Sequence, residues 1–201
     1  MIYSDLKEKT AIVTGSGKKT GIGYAIAQKL ASCGCNIVIA DLGIAPPSDQ
    51  SLTSATSEAM TAIADELAKT YGVRTLAVPV DLTNHQAIAE MVNTIKGSFD
   101  HVDILCNNAG ASFGVPNTVL GYDEAAWIKT IDVNLFSVFR VSRAVLPLMT
   151  GKPASIINTA SRAGKVPPIF NSAYAVAKAG VIILTKTMDE AMGGTGILLN
   201  G

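Results

Sequence analysis

The sequence predicts an α/β protein: a doubly wound parallel sheet with helices on both faces. Short apolar runs alternate with longer helix-patterned stretches from one end of the chain to the other. The short runs, such as Thr10-Ala-Ile-Val-Thr14 and Asn36-Ile-Val-Ile-Ala40, are apolar nearly throughout rather than at every second position. That is the pattern of strands covered on both faces by crossover helices. A glycine-rich turn joins the first strand to the first helix, where the chain of such a sheet must turn tightly.

The elements follow in order. The first strand is predicted over 10–14, the helix after it over 21–33, and a second strand over 36–40. Residues 45–56, rich in Pro, Ser and Thr, read as an exposed loop. A helix over 57–70 leads to a third strand at 74–80, and a helix over 83–96 follows with Thr83 as its N-cap. The fourth strand is 102–106, and 111–122 is a loop. A long helix is read over 123–149, closing near Pro147. A fifth strand at 154–159, a helix at 172–192 and the start of a sixth strand at 197–200 complete the series. With no internal repeat and no linker, 1–201 reads as one domain cut short within its sixth strand.

Bulk composition narrows the function. At 201 residues, with 48% hydrophobic and 16% charged, the chain can bury a sizeable core and is not disordered. Sixteen basic and sixteen acidic residues cancel, leaving no surplus to hold nucleic acid and no basic block to hold a membrane surface. No apolar run reaches the ~18 residues of a membrane span, and the charged N-terminus lacks a signal core. Cys33, Cys35 and Cys106 form neither a metal-ligand spacing nor a C-x-x-C pair. They read as buried thiols of a cytoplasmic protein, with no metal site.

The turn after the first strand, Thr14-Gly-Ser-Gly-Lys-Lys-Thr-Gly-Ile-Gly23, has the glycines that let a backbone approach a pyrophosphate at a helix N-terminus. Strand before and helix after make it a Rossmann-type dinucleotide loop. Gly17-Lys18 suggests an ATP-binding P-loop instead, but that motif needs a glycine at position 12, which is Ile. Asp41 ends the second strand eighteen residues after Gly23, where a carboxylate accepts ribose hydroxyls and repels a 2′-phosphate. NAD is therefore favoured over NADP, although Lys18 and Lys19 are available to a phosphate. Asp81 closes the third strand, to meet the adenine amino group or cap the next helix.

Tyr174 and Lys178 stand four apart in Ser172-Ala-Tyr-Ala-Val-Ala-Lys-Ala-Gly180, hence on one face of a helix. An ammonium beside a phenol favours the phenolate, which suits acid/base work on an alcohol or ketone. Ser161 precedes Tyr174 by thirteen residues. Asn134, a poor helix former inside the long helix, points to a local distortion there. His85 and His101 read as surface residues, and Trp127 as a packing anchor. Ser112, Phe113, Arg162 and residues 166–170 are candidates for the border of the substrate pocket.

Together these motifs resemble the classical short-chain dehydrogenase/reductase family, from the first strand to the last residue. The family's T-G-x-x-x-G-I-G falls on Thr14, Gly15, Gly21, Ile22 and Gly23, with two extra residues before Gly21. Its N-N-A-G is Asn107-Asn-Ala-Gly110, which the resemblance assigns to steadying the sheet and lining the adenine ribose. It also implies a catalytic set of Asn134, Ser161, Tyr174 and Lys178, with Asn134 holding a water that relays protons to Lys178. The implied cofactor contacts are Gly15, Ser16, Gly17, Thr20, Gly21, Ile22 and Gly23 in the loop, and Asp41, Asp81 and Leu82 at strand ends. Asn108, Ala109, Gly110, Tyr174 and Lys178 complete them. The implied activity is hydride transfer between NAD(H) and a secondary alcohol or ketone. An NADPH-dependent 3-oxoacyl-thioester reductase and a non-catalytic dinucleotide-binding sensor or scaffold are the alternatives. A homodimer or homotetramer is implied through the helices near 123–149 and 172–192.

Overall fold

A computed structural model describes residues 3–44 and 55–201. The loop expected over 45–56 therefore lies outside the described residues except at Ala55 and Thr56.

Six strands form one parallel sheet: β1 (Thr10–Thr14), β2 (Asn36–Asp41), β3 (Thr75–Pro79), β4 (Ile104–Asn107), β5 (Ala154–Asn158) and β6 (Ile197–Asn200). Their order across the sheet is β3-β2-β1-β4-β5-β6, and every pairing is parallel. The helices are α1 (Ile22–Ser32), α2 (Ser57–Tyr71), α3 (His85–Ser98), α4 (Glu124–Ile131), α5 (Ser137–Val145) and α6 (Ser172–Ala191).

Alternate residues of each strand serve opposite faces of the sheet. Ile12, Val38 and Leu105 join the core formed with α3 and α5, while Val13, Ile39 and Cys106 join the core formed with α1 and α2. Both faces are thus apolar, which is why the strands read as continuous hydrophobic runs. Strand order runs outward in opposite senses from the adjacent β1 and β4, so the segments leaving them diverge and open a crevice above their carboxyl ends.

Three expectations are corrected. The N-cap of α3 is Asn84, whose Oδ1 accepts from the N–H groups of Gln86 and Ala87; Thr83 instead donates to Asp81. The long helix is broken: α4 passes through a π-helical turn, Asp132–Phe136, into α5, which gives way to a 3-10 turn containing Pro147. His101 is not a surface residue. Its side chain is 13% exposed, beside the Asp103 carboxylate at 4.0 Å.

Candidate active site

The glycine loop is fastened at its root by hydrogen bonds between β1 and β4. Thr14 Oγ1 accepts from the main-chain N–H of Asn108 at 3.0 Å and of Ala109 at 3.1 Å. Asn108 Nδ2 donates back to the carbonyls of Thr14 and Gly15. A Cβ at Gly23 would lie 2.2 Å from Gly15 O, so only glycine lets the first turn of α1 sit this close to the loop. The N-cap of α1 is Gly21, and no side chain caps it. The first N–H groups of a helix have no intrahelical partner, and a glycine cap offers them no side chain, an arrangement that fits an anionic pyrophosphate.

Beside this cradle runs a cleft of about 420 Å³. It is lined by Gly15, Lys18, Gly21 and Asp41, by Asp81 and Leu82 after β3, and by Asn108, Ala109 and Gly110 after β4. The remaining loop residues take other positions. Ser16 is fully buried and its hydroxyl donates to Val13 O. Thr20 is exposed on the loop. Ile22 is exposed on the first turn of α1, and Gly23 is buried against Gly15. Asp81 accepts from Thr83, which orients its carboxylate at the cleft rim.

Asp41 is already engaged. Gly17 N–H donates to its Oδ2 and Leu42 N–H to its Oδ1, both at 2.8 Å. Each carboxylate oxygen keeps a second lone pair, so ribose hydroxyls can still be accepted. Lys19 is turned away to an ion pair with Glu66 on α2.

At the far side of Gly110 two buried polar groups converge. A Cβ built on Gly110 would lie 2.6 Å from Asn134 Oδ1 and 3.9 Å from Lys178 Nζ. Asn134 sits in the π-turn, fully buried, its Nδ2 donating to the carbonyls of Ala111 and Thr130. The turn thus carries the amide toward Gly110, and Asn134 Oδ1 is left buried without a hydrogen-bond partner. An orphaned acceptor of this kind fits a bridging water.

Lys178 is 3% exposed, and burial pushes its pKa down to about 8. Its ammonium donates to Thr159 O at 2.7 Å and lies 5.6 Å from the Tyr174 ring centroid. The helical spacing does bring the two together. Ser161 reaches the same neighbourhood through a 3-10 turn, Arg162–Gly164, whose Gly164 packs on α6 at Lys178 and Ala179. A Cβ there would be 2.7 Å from the α6 backbone. The Ser161 hydroxyl accepts from Ala163 N–H.

The family is decided by comparison with known proteins. The family model described as short chain dehydrogenase matches residues 9–201. The chain belongs to this family. A D-beta-hydroxybutyrate dehydrogenase of Rhizobium meliloti is 37% identical over 96% of this chain and 69% of its own. A 3-oxoacyl-acyl-carrier-protein reductase of Vibrio cholerae is 34% identical over 98% and 72%. Among solved structures, carveol dehydrogenase from Mycobacterium avium in complex with NAD superposes with a TM-score of 0.90 at 26% identity, covering 98% of this chain and 70% of that one. L-sorbose reductase from Gluconobacter frateurii, complexed with NADPH and L-sorbose, gives 0.85 at 28% identity, covering 97% and 68%.

Several residues of this dehydrogenase-family site escaped the sequence reading. Asn171 caps α6 and its Nδ2 donates to Ser112 Oγ at 3.2 Å, pinning the loop after β4 to the helix that carries Tyr174. Trp127 Nε1 donates to Ser172 Oγ, so the expected packing anchor also ties α4 to the start of α6. Thr159 contributes only its carbonyl, which no residue type announces. Lys129 escaped it as well: its Nζ stands 4.4 Å from the ring centroid of Phe113, which is buried in the cleft wall and was expected to border the pocket.

Proposed function

We propose that this protein is an NAD(H)-dependent dehydrogenase that interconverts a secondary alcohol and a ketone, with Tyr174 as the acid/base. The observation that carries the reading is the buried Lys178 ammonium one helical turn from Tyr174, hung from Thr159 O near Gly110 of the cleft wall. A bound nicotinamide dinucleotide would supply the hydride exchange. The loop from Gly15 to Gly23 and the N-terminus of α1 bind its pyrophosphate, and Asp41 takes the adenosine ribose. The Tyr174 hydroxyl gives a proton to the ketone oxygen or takes one from the alcohol. The positive charge of Lys178 stabilises the phenolate, and Ser161 holds the substrate oxygen by a hydrogen bond. Asn134 Oδ1 holds a water that passes protons toward Lys178. Rate and equilibrium binding of NADH with a ketone panel, repeated on Tyr174→Phe, test the assignment. NADH binding without oxidation by any ketone would favour the sensor or scaffold reading.

The alternative, an NADPH-dependent 3-oxoacyl-thioester reductase, draws support from the Vibrio cholerae relative and from Lys18 at the cleft. Tighter binding of NADPH than NADH would select it. We also propose that the chain assembles as a homodimer or homotetramer through α4–α6. Ile128, Phe136, Phe139, Val176 and Ile183 are all exposed on this helical side. No helix among the described residues is long and apolar enough to cross a membrane. Three free buried thiols, Cys33, Cys35 and Cys106, fit a reducing cytoplasm.

A further inference from the structure

The glycine loop is longer than the family pattern by two residues, and it uses the extra length to reach across the end of β2 toward α2. Gly17 is where it lands. A Cβ there would come within 3.0 Å of Asp41 Cβ, Ala55 Cβ and Met60 Cγ, so the loop backbone lies against both the end of β2 and the first turn of α2. Beyond Gly17 the two lysines part. Lys18 lines the cleft beside Asp41, whereas Lys19 pairs with the Glu66 carboxylate. Glu66 in turn belongs to a small polar chain on the outer side, with Tyr24 OH at 3.5 Å and Gln28 Nε2 at 3.3 Å from that hydroxyl.

A 2′-phosphate on the adenosine ribose would stand against the Asp41 carboxylate, and a cation brought there would offset the repulsion. Lys19 is two residues from Gly17, whose N–H bonds Asp41, so a lysine released from α2 can swing back over that carboxylate. We propose that Glu66 is a specificity-determining residue of this dehydrogenase: by holding Lys19 on α2, it withholds a second cation from the ribose 2′ position and sharpens the preference for NAD(H). Glu66 is a positioning residue, acting through Lys19 rather than on the cofactor. The proposal rests on the NAD(H) reading but is decided by a different number.

The test is the ratio of NADPH to NADH dissociation constants, titrated by nicotinamide fluorescence on wild type, Glu66→Gln, Lys19→Gln and the double variant. Lys19 and Glu66 are both partly exposed at the surface, so each variant keeps the core intact, and a thermal melt checks this. Wild type with the smaller NADH constant supports the NAD(H) reading; the reverse overturns that reading alone. In either case Glu66→Gln should shift the ratio toward NADPH by about three- to fivefold, the range of an exposed ion pair. Lys19→Gln added to Glu66→Gln should abolish the shift. A shift below twofold would overturn the role of Glu66. So would one that survives without Lys19, because removal of a negative charge alone would then explain it.

Discussion

Lys178 Nζ donates to Thr159 O at 2.7 Å, which hangs a buried cation from the end of β5 while its own helix carries Tyr174 one turn away. Burial lowers its pKa from the ordinary 10.5 to about 8. Between those values the unfolded chain holds a proton that the folded chain lacks, so the contribution of this group to stability rises with pH. Below pH 8 it is charged in both states and the cost of burying the charge is fully present. The window is worth roughly 3 kcal/mol at about 1.4 kcal/mol per unit. Denaturant melts from pH 7 to pH 10 should show wild type gaining on Lys178→Met as pH rises. A constant difference would contradict the assignment.

Tyr174→Phe keeps the ring that packs near Lys178 and removes only the hydroxyl. Turnover should fall by about 10²–10⁴-fold, the ordinary contribution of a positioned acid/base. Isothermal titration should find dinucleotide affinity altered by only a few-fold. A variant retaining a tenth of wild-type turnover would remove Tyr174 from the proton path.

Gly23→Ala sets a methyl group 2.2 Å from Gly15 O, which is backbone and cannot swing aside. The loop and α1 must separate, at a cost of about 1–3 kcal/mol. The melting temperature should drop, and NADH affinity should weaken at least about tenfold as the cradle opens, each 1.4 kcal/mol being a factor of ten. Equal affinity in the variant would show that the close approach does not serve the pyrophosphate.

A buried polar chain crosses the sheet behind the site. Asn107 Nδ2 donates to Ser142 Oγ at 3.0 Å and Asn158 Oδ1 at 2.8 Å, and Asn158 Nδ2 donates to Thr185 Oγ1 at 2.9 Å. Asn158→Leu takes away one of the two acceptors of the Asn107 amide and the donor to Thr185 Oγ1, at a cost of about 1–3 kcal/mol. Urea denaturation should register that loss; an unchanged midpoint would mean that the network relaxes onto other partners.

Phe136 and Phe139 are half-exposed on the helical side proposed as an interface. Phe139→Glu should lower the mass measured by light scattering to that of a monomer without loss of helical circular dichroism, since a charge buried between copies has no partner there. An assembly of unchanged mass would move the interface elsewhere.

Much of this was legible along the chain because it is local. Strand runs, the glycine loop and the four-residue step from Tyr174 to Lys178 are periodic patterns within one element, and the structure keeps them. The distortion at Asn134 was legible too, although not its form as a π-turn over Asp132–Phe136. The cap of α3 lies one residue beyond the expected Thr83 because Thr83 and Asn84 are both capping types, and only the backbone path decides that Asn84 receives the two N–H groups. His101 reads as a surface residue from its polar neighbours, yet its side chain is largely covered beside Asp103, which is itself buried.

The sequence by itself determined the fold class, the dinucleotide loop and the pairing of a phenol with an ammonium, because short-range sterics and hydrophobic periodicity act within a few residues. The tertiary structure alone decided what those groups face. It set Gly17 on Asp41 across 24 residues and Lys19 on Glu66 across 47, and it brought Asn134 and Lys178 together on one side of Gly110. Such partnerships depend on how the chain closes its sheet and layers its helices, and no local spacing encodes them.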